Sequence, residues 1–270
     1  MKRFVPLMLT IVLAVSVCAC AQGPAEATSQ PAAASQPADP GAIKILDRLE
    51  QAGVKFQTLQ GDLSLTVDMP QLGDREARKG WVAYQRASGQ SPEKIRVHFD
   101  TLQQGEGPDH KEKLDYAFDG EWATEAKFSV KQLTRWQVAA PGEKIEAMRI
   151  GKGAFPPLPF GQKTAEVLEY YQASVLPAAQ GDPANTDAIK LVARRERRKD
   201  VDFLSLEIWV ARDSGLPIKV VGTDKDKNVK TVMLTNVQGG KKFDDNMFEL
   251  KAGWGWTTNT QPLPQRTPGE

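Results

Sequence analysis

The sequence predicts a mainly β fold of the α+β class, in which a strongly curved antiparallel sheet forms an incomplete barrel and helices lid its open side. Two observations support this prediction. Along most of the chain, short segments carry an apolar residue at every second position and are separated by turn-forming clusters. Two other segments place their apolar residues at helical spacing instead.

The clearest strand pattern lies in residues 203–221. Apolar side chains occupy every second position of its first half, at Leu204, Leu206, Ile208 and Val210. The turn that follows contains Gly215, which is able to adopt φ > 0, and residues 218–221 form a second apolar segment. A third strand candidate, residues 229–237, follows a polar turn. The three segments together predict an antiparallel meander.

The beginning of the chain has the composition of an export signal, which we assign to residues 1–19. Lys2 and Arg3 precede a mostly apolar run at residues 4–17, and the small residues Ala19 and Ala21 follow it. A transmembrane helix is the alternative, but the run is shorter than the ~20 residues that a bilayer requires and no basic stop follows it. The pattern predicts a protein on the periplasmic face of the cell envelope.

Cys20 decides how the mature chain begins. The sequence Val17-Cys18-Ala19-Cys20 resembles the lipobox of bacterial lipoproteins, in which small residues precede a cysteine that is acylated and becomes the first residue. The resemblance implies a lipid anchor at Cys20 and therefore attachment to a membrane. The alternative is cleavage after Ala21, which leaves a soluble periplasmic protein.

Residues 20–41 are rich in Ala, Gln, Pro and Ser, which predicts a flexible linker. The two cysteines of the chain both lie before residue 21, so the folded part is predicted to contain no disulfide and no cysteine-ligated metal. Removal of Lys2 and Arg3 from the 35 basic residues would leave 33 against 34 acidic ones. This balance indicates no polyanionic partner such as a nucleic acid.

Residues 42–258 are predicted to form a single domain, followed by a polar tail at residues 259–270. Ile43, Leu46 and Leu49 have helical spacing and predict a helix over residues 42–53. Strand candidates follow in quick succession at residues 63–69, 80–86, 94–99, 114–118, 122–128 and 132–138. Between two of them, Asp119-Gly120 suits a two-residue type I′ hairpin turn.

The strand pattern is interrupted between residues 141 and 177. Residues 154–161 are apolar but rich in proline, which predicts a loop at the mouth of the barrel because each proline removes a backbone donor. Residues 162–173 have helical spacing and predict a second helix. Residues 189–193 resume the strands, and residues 243–250 predict a turn with Phe248 as its apolar anchor.

Three stretches resemble the LolA/LolB-type lipoprotein-sorting and carrier family. They are DYAFDGEW at residues 115–122, IWVARDSGLPIKV at residues 208–220 and LTNVQGGKKFDDNMFEL at residues 234–250. The resemblance covers roughly residues 43–258. It implies an unclosed antiparallel barrel, lidded by helices, that holds the acyl chains of lipoproteins in an apolar cavity.

The resemblance also bears on Arg86. In that family an Arg-Pro pair on an early strand supplies the arginine that holds the lid shut. Arg86 lies in the comparable place here, whereas the proline is displaced to Pro92. With an acylated Cys20, the chain would resemble the membrane-anchored receptor of the family more than its soluble carrier.

The candidate ligand-binding or lid residues are Arg86, Trp122, Phe155, Leu158, Phe160 and Trp209. Three of them belong to the proline-rich loop, which either plugs the core or contacts acyl chains or a membrane surface. The tryptophans are expected in the core or in the lining of a cavity.

A separate basic cluster consists of Arg194, Arg195, Arg197, Arg198 and Lys199. One interpretation is a solvated strand end, because charge runs usually solvate a surface. The other is a docking surface for anionic lipid headgroups or an acidic protein partner.

No enzyme motif supports a catalytic function, since the sequence contains no G-x-S-x-G, glycine-rich phosphate loop or H-E-x-x-H. Neither His98 nor His110 has a cysteine or a second histidine close by, so no metal site and no cofactor is predicted. The sequence therefore predicts a non-catalytic protein that shields acyl chains of lipoproteins or lipids during sorting or transport across the envelope. The alternative is an envelope sensor that uses the same half-barrel to bind a protein partner.

Overall fold

The computed structural model describes residues 39–89, 91–140, 142–143 and 161–263. Within these residues the chain forms two α-helices, α1 (Pro40–Lys55) and α2 (Thr164–Tyr170). The strands before α2 are β1 (Thr58–Met69), β2 (Asp74–Gln85), β3 (Lys94–Gln104), β4 (His110–Phe118), β5 (Trp122–Lys127) and β6 (Gln132–Gln137). The strands after α2 are β7 (Tyr171–Leu176), β8 (Thr186–Ala193), β9 (Phe203–Ala211), β10 (Pro217–Asp224), β11 (Val229–Gly239) and β12 (Thr257–Gln261).

These strands form one sheet with the order β12-β6-β5-β4-β3-β2-β1-β11-β10-β9-β8-β7. Neighbouring strands are antiparallel except that β12 runs parallel to β6. β12 and β7 stand at the two ends of this order and are not paired with each other, so the curved sheet remains open. The predicted fold class, a mainly β fold with an open antiparallel sheet and helices, is confirmed.

The predicted meander corresponds to β9, β10 and β11. Ile208 of β9 pairs with Val220 of β10, and Val220 pairs with Val232 of β11. All three side chains are buried on the same face of the sheet, which we call the inner face. The alternation visible in the sequence therefore reports one-sided burial.

α1 packs on the inner face through a buried stripe. Ile45, Leu46 and Leu49 recur at helical spacing and join Ile208 and Val210 in one apolar cluster. Full burial of such a side chain contributes on the order of 1.5–3 kcal/mol. The stripe therefore fixes which side of the helix faces the sheet.

Asp39 fixes the start of α1 on the edge strand β7. Its carboxylate accepts hydrogen bonds from the backbone N–H groups of Val175 at 3.2 Å and Gly41 at 2.8 Å. These bonds lower the pKa of Asp39 from its ordinary value. Pro40 takes the first helical position, where its missing N–H leaves no bond unmade. The helix thus starts two residues before the predicted boundary.

A second apolar cluster occupies the inner face of the strands from β1 to β4. Its members include Leu63, Val82, Tyr84, Ile95, Val97, Phe99 and Phe118. Leu216 before β10 and Leu234 of β11 belong to the same cluster. The cluster therefore joins the first half of the sheet to the second half.

The segment after β11 crosses the opposite, outer face of the sheet. The short 3₁₀ turn Asp245–Phe248 packs on β3. There Arg96 Nη1 donates to the carbonyl oxygen of Met247 at 3.0 Å, and the Phe248 side chain is buried. Phe248 is the apolar anchor that the sequence predicts.

The predicted second helix ends earlier than expected. The sequence predicts a helix over residues 162–173, but α2 ends at Tyr170 and Tyr171 already has extended backbone angles of φ −127° and ψ 150°. Tyr171 is fully buried, and its hydroxyl donates to the carbonyl oxygen of Phe203 at 3.1 Å. Tertiary packing therefore overrides the helical spacing.

Several strands differ from the predicted ones: β1, β3, β4 and β8 are longer than predicted, and β7 lies where no strand is predicted. Two further differences concern β2 and β12. β2 begins at Asp74 instead of residue 80, because its charged first half pairs with β1 through the backbone. Residues 259–261, expected in the polar tail, belong to β12. Neither residues 74–79 nor residues 259–261 have the alternating apolar pattern that predicts a strand.

The turn between β4 and β5 is not of type I′. That type requires φ > 0 at both central residues, and only Gly120 has a positive φ here, at 107°. The Asp119 carboxylate accepts instead from the backbone N–H groups of Glu121 at 3.0 Å and Trp122 at 2.8 Å. The hairpin itself is present, but side-chain capping by Asp119 fixes its turn.

The described residues from Asp39 to Leu263 belong to one compact unit. The helices and strands described above and both apolar clusters lie within it. This unit therefore has its own core and is able to fold by itself. None of the helices in the described ranges is long and apolar enough to cross a membrane.

Candidate ligand-binding groove

A groove lined about equally by polar and apolar surface opens where the end of α1, the β9–β10 hairpin and the end of β11 meet. Its volume is about 470 Å³, within the range of about 300–1,000 Å³ that is common for ligand sites. Its apolar lining consists of Phe56, Ala184, Ala211, Leu216, Ile218, Leu234 and Val237. Polar groups come from Asn185, Asp213, Ser214, Thr235 and Asn236. We call this site the mouth groove.

A bulge in β11 shapes one wall of the mouth groove. Gln60 pairs with Gln238 and Asp62 with Thr235, so β11 has one residue more than β1 in this interval. Asn236 takes the left-handed conformation at φ 52°, and its Nδ2 donates to the Asp62 carboxylate at 2.7 Å. The next residue, Val237, lines the groove and packs against the second apolar cluster.

Phe56 forms the wall next to the helix. Its backbone N–H donates to the carbonyl oxygen of Ala52 at 2.9 Å and closes the last turn of α1. Its ring lies directly against Gly239, where a Cβ atom would overlap the ring. Glycine at position 239 therefore lets the aromatic ring approach the backbone of β11.

The β9–β10 turn forms the third wall and rests on α1. Gly215 has φ 73°, and its N–H donates to the carbonyl oxygen of Ala211 at 2.9 Å. A Cβ atom on Gly215 would lie 2.8 Å from the carbonyl oxygen of Arg48 in α1. The predicted turn is confirmed, and its close approach to the helix brings Leu216 into the groove lining.

Arg86 connects the sheet to the end of α1. Its Nη1 donates to the carbonyl oxygen of Gly53 at 2.5 Å, and its backbone N–H donates to the carbonyl oxygen of Gln57 at 2.8 Å. The negative end of the helix dipole favours a cation at this place. Arg86 is therefore in a position to hold the end of α1 against the sheet.

Trp122 lies on the outer face of the sheet and lines a different pocket. This pocket has a volume of about 280 Å³ and is formed with Arg135, Phe248 and other residues of β4 to β6. The Arg135 guanidinium lies over the Trp122 ring, 4.8 Å from its centroid. The indole N–H of Trp122 donates to Glu121 at 3.1 Å.

Trp209 lines a third pocket of about 300 Å³ near the β7–β8 hairpin. Its side chain is buried, and Lys219 Nζ lies 4.2 Å from the centroid of its ring. The structure therefore does not bring Arg86, Trp122 and Trp209 together in one site.

Four candidate residues of the sequence analysis lie outside the described residues. They are Cys20, Phe155, Leu158 and Phe160.

Some residues of the basic cluster form contacts within the fold, and others are exposed. Arg194 Nε donates to the carbonyl oxygen of Leu168 at 2.9 Å, so it ties the end of β8 to α2. Arg197 pairs with Glu169 and stacks over Tyr170, both in α2. Its remaining members, Arg195, Arg198 and Lys199, are exposed. Part of the cluster is thus structural, and the exposed part remains available to a partner.

A buried polar network on the outer face has no signal in the sequence. Asp115 is only 1% exposed, accepts from Arg96 Nη2 at 2.5 Å and contacts His98 Nδ1. The His98 ring stacks on Trp81 with centroids 5.3 Å apart. A buried carboxylate is tolerated only when paired in this way. The network explains the polar face of β3 and lies apart from the mouth groove.

The groups with shifted pKa values belong to the fold. Hydrogen bonds from Arg212 at 2.8 Å and Arg48 at 2.5 Å lower the pKa of Asp187. Burial raises the pKa of Tyr116 and of Tyr171. None of these groups lines the mouth groove among the residues that the structure describes. The lining of the groove offers apolar contacts and hydrogen-bonding groups.

Comparison with known proteins places this fold among solved structures. No family model and no curated protein matches the sequence. The chain is similar to an uncharacterized conserved protein from Thermus thermophilus, at 13% identity and a TM-score of 0.45, over 82% of this chain and 99% of that chain. It is similar to a LolA superfamily protein from Nitrosomonas europaea, at 12% identity and a TM-score of 0.33, over 77% of this chain and 96% of that chain.

A third similar structure is the complex of MucA and MucB from Pseudomonas aeruginosa. The identity is 16% and the TM-score 0.40, over 78% of this chain and 62% of that chain. A LolA superfamily protein, the family that the sequence resembles, is thus among the similar structures. These likenesses concern the fold alone. Function therefore rests on the groove and the surfaces of this chain.

Proposed function

We propose that this chain is a non-catalytic binding protein of the cell envelope, and that it shields an acyl chain of a lipoprotein or lipid in the mouth groove. The observation that carries the proposal is the composition of this groove. Seven apolar residues line it, and its polar groups are uncharged except for Asp213. Such a site suits an apolar chain that ends in a polar group.

The proposed binding uses side chains that still have exposed surface. Phe56, Ile218 and Val237 are half-buried, so a bound chain would remove more of their surface from water. Each Å² of apolar surface so buried contributes about 25 cal/mol. Leu216 and Leu234 are already buried and would form the floor of the site. The reaction is association and release, without a covalent step.

We propose that the ligand lies beside the end of α1 and not between α1 and the sheet. The space under the helix is filled by buried side chains such as Leu46, Ile208 and Val210. An acyl chain under the helix would have to displace this packing, which costs several kcal/mol. Arg86 is then proposed to keep α1 in place as one wall of the groove.

A variant that fills the groove tests the proposal. Val237→Trp places a large side chain among the lining residues, so binding of a fluorescent long-chain fatty acid should weaken at least about tenfold. Met233→Trp is the matched control, because Met233 lies on the same strand and is exposed outside the groove. If both variants bind the probe as the wild type does, the groove is not the binding site.

The proline-rich loop is proposed as an additional contact for acyl chains or membrane. Phe155, Leu158 and Phe160 supply its apolar side chains. Their joint replacement by serine should weaken fatty-acid binding while the melting temperature changes little. A large loss of melting temperature with unaltered binding would mean that the loop is a core plug.

A second candidate function is the binding of a protein partner, and the edge strand β12 favours it. Its residues are all exposed, and within the described sheet only one of its two edges is paired with another strand. Such an edge is able to accept a strand from another chain. Mass spectrometry of protein purified in mild detergent separates the two functions. Bound lipid or lipoprotein supports the acyl-chain function, whereas a stoichiometric protein without lipid supports the second.

A further inference from the structure

An exposed aromatic tip projects from the loop between the 3₁₀ turn and β12. Trp254 is 97% exposed although tryptophan is normally well buried. It lies between Gly253 and Gly255, and Gly255 has φ 76°. No core contact accounts for a large indole at this position. A single exposed apolar residue is common on protein surfaces. Trp254 therefore indicates a binding surface only if other exposed apolar residues lie near it.

Other apolar side chains are exposed in the same loop and in the turn to which the loop is tied. Val130 is 63% exposed and Phe128 is 40% exposed, both in the turn between β5 and β6. Trp256 packs edge-on against Phe128 with ring centroids 5.0 Å apart. The N–H of Thr257 donates to the carbonyl oxygen of Lys131 at 2.9 Å, which ties the loop to this turn. We define the aromatic tip as Phe128, Val130, Trp254 and Trp256.

Basic side chains border the aromatic tip. Lys111, Lys113, Lys127, Lys131 and Lys251 are exposed on the strands and loops next to it, and two of them are paired, Lys127 with Glu125 at 3.1 Å and Lys251 with Glu249 at 3.0 Å. The carboxylates in the same stretches are engaged, since Glu112 pairs with Arg78 at 3.1 Å and Asp109 with Lys79 at 2.6 Å. The tip therefore combines exposed apolar groups with three lysines, Lys111, Lys113 and Lys131, that form no ion pair within the described residues.

The same end of the sheet carries the exposed part of the basic cluster. Strand pairing places the β1–β2, β5–β6, β8–β9 and β10–β11 connections at this end. Lys225 Nζ donates to the carbonyl oxygen of Lys199 at 3.3 Å, so the β10–β11 and β8–β9 connections touch. Leu72 in the β1–β2 turn is 77% exposed. The mouth groove lies at the opposite end of the strands.

We infer that the aromatic tip is a contact site for a bilayer that contains anionic lipids. Tryptophan favours the membrane–water interface, where its ring meets apolar surroundings and its N–H stays hydrated. The neighbouring lysines complement anionic headgroups. A tip that projects from the surface is shaped to insert between headgroups, whereas a peptide would bind in a groove or along the free edge of β12. The contact does not depend on the acyl-chain function of the mouth groove.

Vesicle co-sedimentation of the unit Pro37–Glu270 tests the contact without any contribution from the N-terminal segment. Wild-type protein should sediment with vesicles that contain phosphatidylglycerol and much less with pure phosphatidylcholine. Added salt should reduce the bound fraction. Trp254→Ser should lower partitioning roughly tenfold, as expected for the loss of one inserted aromatic side chain. Because Trp254 is almost fully exposed, its replacement should leave the melting temperature unchanged.

Val54→Ser is the matched control, since Val54 is 62% exposed at the end of α1, next to the mouth groove. This variant should sediment as the wild type does. Equal losses for both variants would indicate general apolar adhesion and overturn the inference. It would also be overturned if the wild type ignored both kinds of vesicle, or if Trp254→Ser bound them unchanged. Fatty-acid binding by Trp254→Ser should stay at the wild-type level, which separates this site from the groove.

Discussion

Arg86 Nη1 and the carbonyl oxygen of Gly53 lie 2.5 Å apart, and this hydrogen bond joins the segment after β2 to the last turn of α1. The last carbonyls of a helix have no partner within the helix, so Arg86 satisfies one that would otherwise depend on water. The same bond forms beside the mouth groove. One side chain therefore holds the helix end that leads into Phe56, a wall of the mouth groove.

Replacing Arg86 with alanine should lower the free energy of unfolding by about 1.5–3 kcal/mol, the usual contribution of a hydrogen bond to a charged group. Urea unfolding gives this value, and amide hydrogen exchange should become faster in the last turn of α1. Arg75→Ala is the control, because Arg75 is 54% exposed and forms only a surface ion pair with Asp68 at 3.3 Å. Similar losses in both variants would contradict a special role for Arg86.

Gly53→Ala should be destabilising although alanine is normally the better helix former. In an exposed helix interior the change would add up to about 1 kcal/mol of stability. Here a Cβ atom on Gly53 would overlap the backbone of Gly161, so the two segments must separate. The expected loss is about 1–3 kcal/mol by urea unfolding. Gln51→Ala, at an exposed position of the same helix, should be nearly neutral, and a stabilised Gly53→Ala would refute the contact.

The sequence predicts the strands whose apolar residues alternate, because one-sided burial leaves that signature. The meander around Ile208 and Val220 is an example. β12 could not be predicted, since its five residues are polar and exposed and it is held by backbone pairing with β6. Helical spacing predicts a helix at Tyr171, because local spacing does not show that its hydroxyl reaches the carbonyl oxygen of Phe203.

The candidate site was predicted only in part. Gly215 and its turn are visible in the sequence, whereas a lid role for Arg86 is only implied by the family resemblance. The groove residues Phe56, Ile218 and Val237 were missed, because they come together from three distant segments. A bulge at Asn236 produces one wall, and only its asparagine hints at a left-handed residue.

Asp187→Asn should make the protein less stable at neutral pH but not at low pH. Hydrogen bonds from Arg212 and Arg48 lower the pKa of Asp187 in the folded state. Its stabilisation is therefore fully present above the unfolded-state pKa of about 3.9 and is lost as the pH falls through the lower folded value. At pH 7 we expect a loss of about 1 kcal/mol. The difference from wild type should shrink below about pH 4.

Urea unfolding of both proteins as a function of pH measures this difference. Asp226→Asn is a suitable control, since Asp226 is exposed. Within the described residues its carboxylate forms no hydrogen bond or ion pair, and its backbone N–H donates to Asp224. The control should follow the wild type throughout. A constant deficit of Asp187→Asn down to low pH would show that the carboxylate charge is not the cause.

Cys20→Ser should abolish membrane anchoring. The prediction rests on the lipobox-like sequence Val17-Cys18-Ala19-Cys20 and the spacer that follows it. Cells supplied with a clickable fatty acid should label the wild type and leave Cys20→Ser unlabelled. Cys18→Ser, which changes the neighbouring cysteine, should still be labelled. An unlabelled wild type that fractionates with the soluble periplasm would establish cleavage after Ala21 instead.

The basic cluster should separate into docking residues and structural residues. Arg195, Arg198 and Lys199 are exposed, whereas Arg197 pairs with Glu169 and also lies 3.6 Å from Asp200. Joint replacement of the three exposed residues by glutamine should reduce binding to vesicles with anionic lipids. Each lost cation near such a surface costs about 1 kcal/mol. The melting temperature should stay the same, because the exposed residues do not hold α2.

Arg197→Gln, in the same cluster, should affect stability more than it affects vesicle binding. It removes the ion pair with Glu169 and the contact over Tyr170, so it should lower the melting temperature by a few degrees. Binding to anionic vesicles should fall by less than in the triple variant, since only one charge is lost. If the triple variant binds as the wild type does at low salt, the cluster is a solvated strand end and the aromatic tip acts without it.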